Sequence, residues 1–402
     1  MMSTVVVQLT GTGRGAVASL LVAGPTAVSV VQKRFQRRSG RSGNFVRDQT
    51  YFGEWQSAGY EEELVVCQTA DEQIEIHCHG GSLASKKIIE SLVADGITAI
   101  THEQWLNRSE TNAHRRIARQ RLANARTERT ASILLDQVRG ALEIGLKQIH
   151  DLIVREDTFE AMKLVERLIA CGRLGQRIHE PFSVVLIGKP NAGKSSLVNS
   201  LVGYQRAIVY DQPGTTRDLV SVETALDGWP LVFIDTAGIR ESRDVIEQEG
   251  IRRARATLHA ADLVLQVIDM SSPADAAEDS SFEGIDDLAS PRIRVGTKAD
   301  LVDHAVGPLD ATVDIRTSAV TGDGINELQT AIAAKLVPAP PKSGEAVPLT
   351  GHLTDRLISL QDQLKTGDLA DSVATLKAMQ SIDLLESAGN SKTGTQHKTD
   401  TI

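Results

Sequence analysis

The chain has 402 residues, a net charge of −9 and 41% hydrophobic residues, enough for two or three domains with sizeable cores. The acidic balance excludes a protein that coats nucleic acid through bulk charge, and with aromatics at 3% the cores must be filled by aliphatic side chains. Cys67, Cys78 and Cys171 lack disulfide or metal-ligand spacing, the N-terminus lacks the pattern of a signal peptide, and no apolar run approaches the length of a membrane span; the expectation is a cytoplasmic protein without a membrane partner.

The N-terminal stretch, residues 1–102, reads as α+β. Val5–Leu9 is a strand, Gly11–Gly15 a tight loop, and Val17–Val22 a second apolar segment. Lys33, Arg34, Arg37, Arg38, Arg41 and Arg47 fall among Ser, Gly and Asn, which predicts a flexible basic loop. Gln73–His79 alternates like a strand, Gly80-Gly81 ends it, and Ser82 is placed to cap the helix that follows. His77 and His79 share a face of that strand, but no third ligand stands near them, and a structural role is favoured over a metal pair.

Residues 103–180 are poor in Pro and dominated by helix formers. Arg115, Arg116, Arg119, Arg121 and Arg126 lie within a basic run over 108–129, a candidate for phosphate-backbone contact weighed evenly against a solvated face. Ile133, Leu134, Leu135, Val138, Leu142 and Leu146, then Phe159, Met162, Val165, Leu168 and Ile169, repeat at helical spacing and predict core-facing stripes, closed by Gly172 and Gly175.

Residues 181–340 carry the chemistry. Ser183–Ile187 reads as a strand, Gly188-Lys-Pro-Asn-Ala-Gly-Lys-Ser195 as a phosphate-binding loop, and Ser196–Val202 as a helix. In that order the glycines turn backbone N–H groups toward a phosphate chain, and the helix N-terminus favours negative charge. Asn191, Ala192, Gly193, Lys194, Ser195 and Ser196 form the expected cradle, with Lys194 on the β- and γ-phosphates and the Ser195 hydroxyl on Mg²⁺. Thr216, in Gly214–Asp218, is placed to complete the Mg²⁺ shell. Asp235 at the end of the Leu231–Ile234 strand holds the metal through water, and the Gly238 N–H meets the γ-phosphate. In Thr297-Lys-Ala-Asp300, Asp300 accepts two N–H bonds from guanine, an edge adenine lacks, and Lys298 lies along the base. A backbone N–H of Ser318-Ala319 reaches the guanine oxygen. Thr297 stands where an asparagine is usual, which predicts a weaker hold. Ile239 follows Gly238 and cannot polarise water, so another group must orient the nucleophile.

Gly188–Ser196, Gly214–Asp218, Asp235–Glu241 and Ser318–Ile325, with Gly13-Arg-Gly15 and Ile76–Gly81 near the N-terminus, resemble the tRNA-modification GTPase family called MnmE or TrmE. The resemblance implies an α/β P-loop GTPase domain (181–340) inserted in an α-helical domain (103–180 and 341–388), preceded by an α+β domain (1–102) that dimerises and is folate-binding-like. It implies GTP hydrolysis to GDP by a homodimer joined through its N-terminal and G domains. It implies K⁺ held by Asn191, Tyr210, Gln212 and Thr215, and Glu247 placing the attacking water through a second water. It further implies a flavin-dependent partner, wobble-uridine chemistry on tRNA, and a formyl-tetrahydrofolate whose ligands are not assigned.

Pro338–Pro341 reads as a linker, and Leu353–Leu364 and Leu369–Leu385 as helices returning onto residues 103–180. The polar tail 389–402 is expected to be disordered and lacks the cysteine of the family's C-terminal motif, and the Phe-, Arg- and Asn-Gly-rich family stretch is missing between Ile100 and Ala113. Two other readings stay open at this point: a ribosome-assembly GTPase, and a diverged nucleotide-dependent switch without modification chemistry.

Overall fold

The computed structural model describes residues 3–11, 15–40, 43–57, 59–203, 221–235, 256–272, 290–302 and 313–380. The chain divides into two compact units, Met1–Thr111 and Asn112–Ile402.

The first unit is a seven-stranded sheet with order β3-β4-β5-β6-β2-β1-β7. Its strands are β1 (Val5–Gln8), β2 (Val17–Ala23), β3 (Phe35–Arg37), β4 (Thr50–Ser57), β5 (Tyr60–Ala70), β6 (Gln73–His79) and β7 (Thr98–Ala99), with helices α1 (Ala27–Arg34), α2 (Ser82–Ala94) and α3 (His102–Ser109). Period-two alternation sends Leu20, Val22, Trp55, Leu64, Val66, Ile74 and Ile76 to one face, where they form a single core with Val31 of α1 and Ile88 and Leu92 of α2. The buried Trp55 indole donates to Ser91 Oγ at 3.0 Å, which removes the cost of an unpaired N–H.

Two sequence expectations change in this unit. The basic stretch is not a loop throughout: Lys33 and Arg34 end α1 and both pair with Asp95 at 3.0 and 2.7 Å. Arg37 stacks over Tyr51 at 4.0 Å and Arg38 pairs with Glu63, so these charges have internal partners. Ser82 is the first residue of α2, and the cap position falls to Gly81 at φ +102. The histidines also have protein partners, His77 with Ser19 Oγ at 2.9 Å and His79 with Glu62 at 2.6 Å. No metal-holding cluster exists among the described residues.

The second unit opens with four helices, α4 (Ala113–Leu122), α5 (Glu128–Val138), α6 (Ala141–Val154) and α7 (Thr158–Arg177). A six-stranded sheet follows, β8 (Phe182–Ile187), β9 (Ser221–Leu226), β10 (Trp229–Asp235), β11 (Leu263–Asp269), β12 (Arg292–Thr297) and β13 (Ile315–Arg316), in the order β13-β12-β11-β8-β10-β9. All neighbours are parallel except β9 with β10. β8 and β11 are mostly apolar and buried because both faces are covered. Helix α8 (Lys194–Gly203) follows β8, and α9 (Ile325–Leu336) follows β13. Then α10 (Gly351–Thr366) and α11 (Leu369–Gln380) return to the first helices. Leu353, Leu357, Leu360 and Leu376 share a core with Leu142, Leu146, Val165 and Leu168, which makes the α/β domain an insertion in a helical one.

Glycines 172 and 175 do not close the helical region. Helix α7 runs through both, and glycine is needed there because a Cβ at Gly175 would collide with the Pro348 carbonyl and one at Gly172 would lie 2.7 Å from Thr354 Oγ1. At both glycines the returning chain comes close to the helix. Phe159 leaves its predicted stripe and is 69% exposed, with the Lys163 ammonium 4.4 Å above its ring. Pro338–Pro341 is pinned, since Arg167 donates to the Pro340 carbonyl at 2.9 Å. The basic run is spent largely on internal partners: Arg115 on Glu143, Arg121 on the Gly175 carbonyl, Arg126 on Glu223 and Arg129 on Asp227.

Candidate nucleotide site

The parallel strands β8, β10, β11 and β12 all end at one edge of their sheet, the edge where open α/β sheets bind ligands. The loop after β8 is shaped by three residues with positive φ, Gly188 (+150), Asn191 (+64) and Gly193 (+90). Gly188 has a second reason to be glycine, because a Cβ there would strike the Val267 carbonyl on β11. Asn191 is one of the few side chains that accept the left-handed region. It is exposed, as are Ser195 and Ser196 in the first turn of α8, while Ala192 is buried under the loop.

Lys194 is 6% exposed, and its ammonium donates to the Gly188 and Lys189 carbonyls at 3.0 Å each. The loop is therefore folded around its own lysine. Asp235 ends β10 in register with Leu186 of β8, beside the strand that feeds the loop. An exposed hydroxyl at a helix N-terminus with a carboxylate at the next strand end is a hard-oxygen donor set that suits Mg²⁺.

The base-side residues form a second linked group. Thr297, 5% exposed at the end of β12, donates its hydroxyl to the Ala192 carbonyl at 2.6 Å, with the Ile268 carbonyl at 3.1 Å. The expectation of a hydroxyl that merely bonds less than an amide thus acquires a definite partner in the phosphate loop. Asp300 accepts from the Ser318 hydroxyl at 2.6 Å, which ties together the two segments expected to read the base. The Ser318 N–H goes to the Asp323 carbonyl, and the Val320 and Thr321 N–H groups go to Ser318 Oγ. Among the described residues this leaves the Ala319 N–H without an internal acceptor in the turn. Ser200 of α8 reaches the Ala319 carbonyl at 3.4 Å.

One residue beside the candidate site was missed by sequence reading. Asp269, the last residue of β11, holds the Lys298 ammonium at 2.6 Å and accepts the Ser271 N–H and hydroxyl. Burial pushes its carboxyl up, but Lys298 and the two Ser271 donors outweigh that and hold it below the usual carboxylate value. The available signal was an acid at the carboxyl end of a buried strand between the metal strand and the Thr-Lys-Ala-Asp strand. Tyr210, Gln212, Thr215, Thr216, Gly238 and Glu247 lie outside the described residues.

A strand–glycine loop–helix unit at the carboxyl edge of a parallel sheet, tied through Thr297 to the end of β12, defines a P-loop nucleotide-binding fold, and residues 183–298 match the family model described as 50S ribosome-binding GTPase. Residues 4–114 match the model described as GTP-binding protein TrmE N-terminus. The tRNA modification GTPase MnmE of Natranaerobius thermophilus is 31% identical over 370 residues, covering 81% of this chain and 80% of that one. Its counterpart in a Synechococcus species is 30% identical over 405 residues, covering 90% and 84%. That of Geobacillus kaustophilus is 29% identical over 429 residues, covering 95% and 92%. The chain belongs to the MnmE family. It is a GTPase that binds GTP and GDP with Mg²⁺. No helix among the described residues is long and apolar enough to cross a membrane.

Proposed function

We propose that this GTPase takes part in wobble-uridine modification of tRNA, as a homodimer working with a flavin-dependent partner and with K⁺ in its G site. The observation that carries the reading is that one chain holds both a TrmE-type N-terminus over 4–114 and a GTPase domain over 183–298. Likeness to the MnmE relatives over four-fifths or more of each chain supports it and favours it over ribosome assembly or a switch without modification chemistry. The proposed division of labour is an N-terminal domain over 1–102, a helical domain over 103–180 and 341–388, and a G domain over 181–340.

In this reading Lys194 and the loop N–H groups of 191–196 hold the phosphates. Ser195, Thr216 and Asp235 hold Mg²⁺, which screens charge on the transferred phosphoryl. Asp300 and the Ala319 N–H read guanine, and the free Ala319 donor supports that choice over Ser318. Asn191, exposed at φ +64, joins Tyr210, Gln212 and Thr215 as a K⁺ ligand. Gly238 meets the γ-phosphate, and Glu247 orients water where Ile239 cannot. The N-terminal domain takes a formyl-tetrahydrofolate, and tRNA is the further partner. Restoration of the modified wobble uridine in a strain lacking the family enzyme, read by mass spectrometry of tRNA, is the expected result, and no restoration overturns the tRNA role. GTP hydrolysis faster in K⁺ than in Na⁺ at equal ionic strength is expected, and equal rates overturn the K⁺ assignment.

A further inference from the structure

We propose that Asp269 is a positioning residue for guanine-nucleotide binding, acting through Lys298 by holding its ammonium beside the base loop. This rests on the nucleotide site described above.

Asp269 and Thr297 are cross-strand partners at the ends of β11 and β12, so the Asp269 carboxylate emerges beside the residue that follows Thr297. That residue, Lys298, has φ +58, a left-handed turn out of the strand direction. Its ammonium lies 2.6 Å from Asp269 Oδ2, so the long stem is fixed at both ends. The two carboxylate oxygens divide their work. Oδ1 takes the Ser271 N–H at 2.9 Å and hydroxyl at 2.6 Å, while Oδ2 is given to the lysine. Asp269 is 7% exposed and cannot swing away.

The consequence concerns what the lysine offers a base. An ammonium already paired with a buried carboxylate brings little free charge, and what remains on display is the row of stem methylenes. A flat purine packs well on such an edge, and a stem fixed in advance loses no rotamer freedom when the base arrives. Asp269 touches neither phosphate nor reacting atoms in this role, so its removal acts on binding and leaves the chemical step alone.

The test uses the full-length chain with fluorescent GDP and a non-hydrolysable GTP analogue, together with kcat and KM for GTP. Asp269→Asn is expected to weaken both nucleotides and raise KM about tenfold, with kcat within about twofold. Lys298→Ala is expected to weaken binding similarly, and adding Asp269→Asn to it changes nothing further. Ser271→Ala, which spares the lysine contact, leaves affinity within about twofold. Additive effects of the two substitutions, or a Ser271→Ala loss equal to that of Asp269→Asn, overturn the proposal in favour of a purely structural turn. Should Asp269→Asn fail to fold, Lys298→Met decides: it keeps a stem but cannot be anchored, and wild-type affinity in that variant overturns the proposal. A wild-type chain that binds neither probe refutes the guanine-nucleotide site itself, a distinct failure that takes this proposal with it.

Discussion

The Thr297 hydroxyl donates to the Ala192 carbonyl at 2.6 Å, joining the end of the base strand to the floor of the phosphate loop. A hydroxyl has one proton, and the shorter bond claims it ahead of the Ile268 carbonyl at 3.1 Å. Thr297→Ala would leave a buried carbonyl unpaired at a cost of roughly 1–2 kcal/mol, felt where the loop must hold its shape. The expected outcome is a five- to thirty-fold weaker affinity for GDP, on the order of that energy. Thr297→Ser keeps the proton and is expected to stay near wild type. Equilibrium titration with fluorescent GDP checks both.

Gly175 reverses the usual helix rule. Alanine in place of a mid-helix glycine normally stabilises by about 1 kcal/mol. Here the added methyl would collide with the Pro348 carbonyl, a backbone atom that cannot rotate away. Gly175→Ala is therefore expected to destabilise by about 1–3 kcal/mol through overpacking. Urea unfolding of the full chain measures the sign, and any stabilisation contradicts the packing described for α7.

Glu345 gives the fold an acid-sensitive fastening. Arg167 grips both carboxylate oxygens, at 2.6 and 2.9 Å, and lowers the Glu345 pKa from its ordinary 4.5; burial opposes this, and the Lys342 N–H helps. A carboxyl whose folded pKa is depressed contributes stability above its unfolded pKa, and that contribution is lost as pH falls through the folded value. Stability is expected to drop as pH goes below about 4.5, and Glu345→Gln to flatten that acid limb. Thermal melts between neutral and acid pH compare the two slopes.

Arg129 fastens the β9–β10 hairpin to α5 by two unequal means. Its guanidinium lies 4.5 Å over the Trp229 ring and donates to the Asp227 carbonyl at 2.5 Å. Its ion pair with the Asp227 carboxylate is to a 68% exposed partner. Exposed pairs contribute about 0–1 kcal/mol, so Asp227→Asn is expected to change little. Arg129→Ala removes the ring contact and the carbonyl bond, a loss of about 1–2 kcal/mol. Lysine lacks the planar fork and does not restore it. Unfolding free energies of the three variants test the order.

Much of this was legible in order along the chain. A phosphate loop needs its glycines, lysine and serine at fixed spacing between a strand and a helix, so Gly188–Ser195 announced both element types and a ligand class. Mostly apolar runs marked β8 and β11, and leucines at three- to four-residue spacing marked α10 and its return onto α7. The arginines of 108–129 could not be assigned partners from the sequence, because charge pattern reports only that a side chain is polar. Whether it faces RNA, water or Glu143 depends on what folds opposite. Gly172 and Gly175 misled for the same reason: a helix-breaking propensity of about 1 kcal/mol was outweighed by a close approach from residues far along the chain.

The sequence by itself determined that this protein carries a P-loop GTPase domain, because the spacing of the GTPase motifs is a local property. Only the tertiary structure decided how those residues support one another. Ala192 and Thr297 are 105 positions apart and meet in one hydrogen bond. Asp269 reaches Lys298 across 29 positions, and the Ser318 N–H is taken by the Asp323 carbonyl. Such pairings arise when parallel strands end side by side, and no local pattern carries that information.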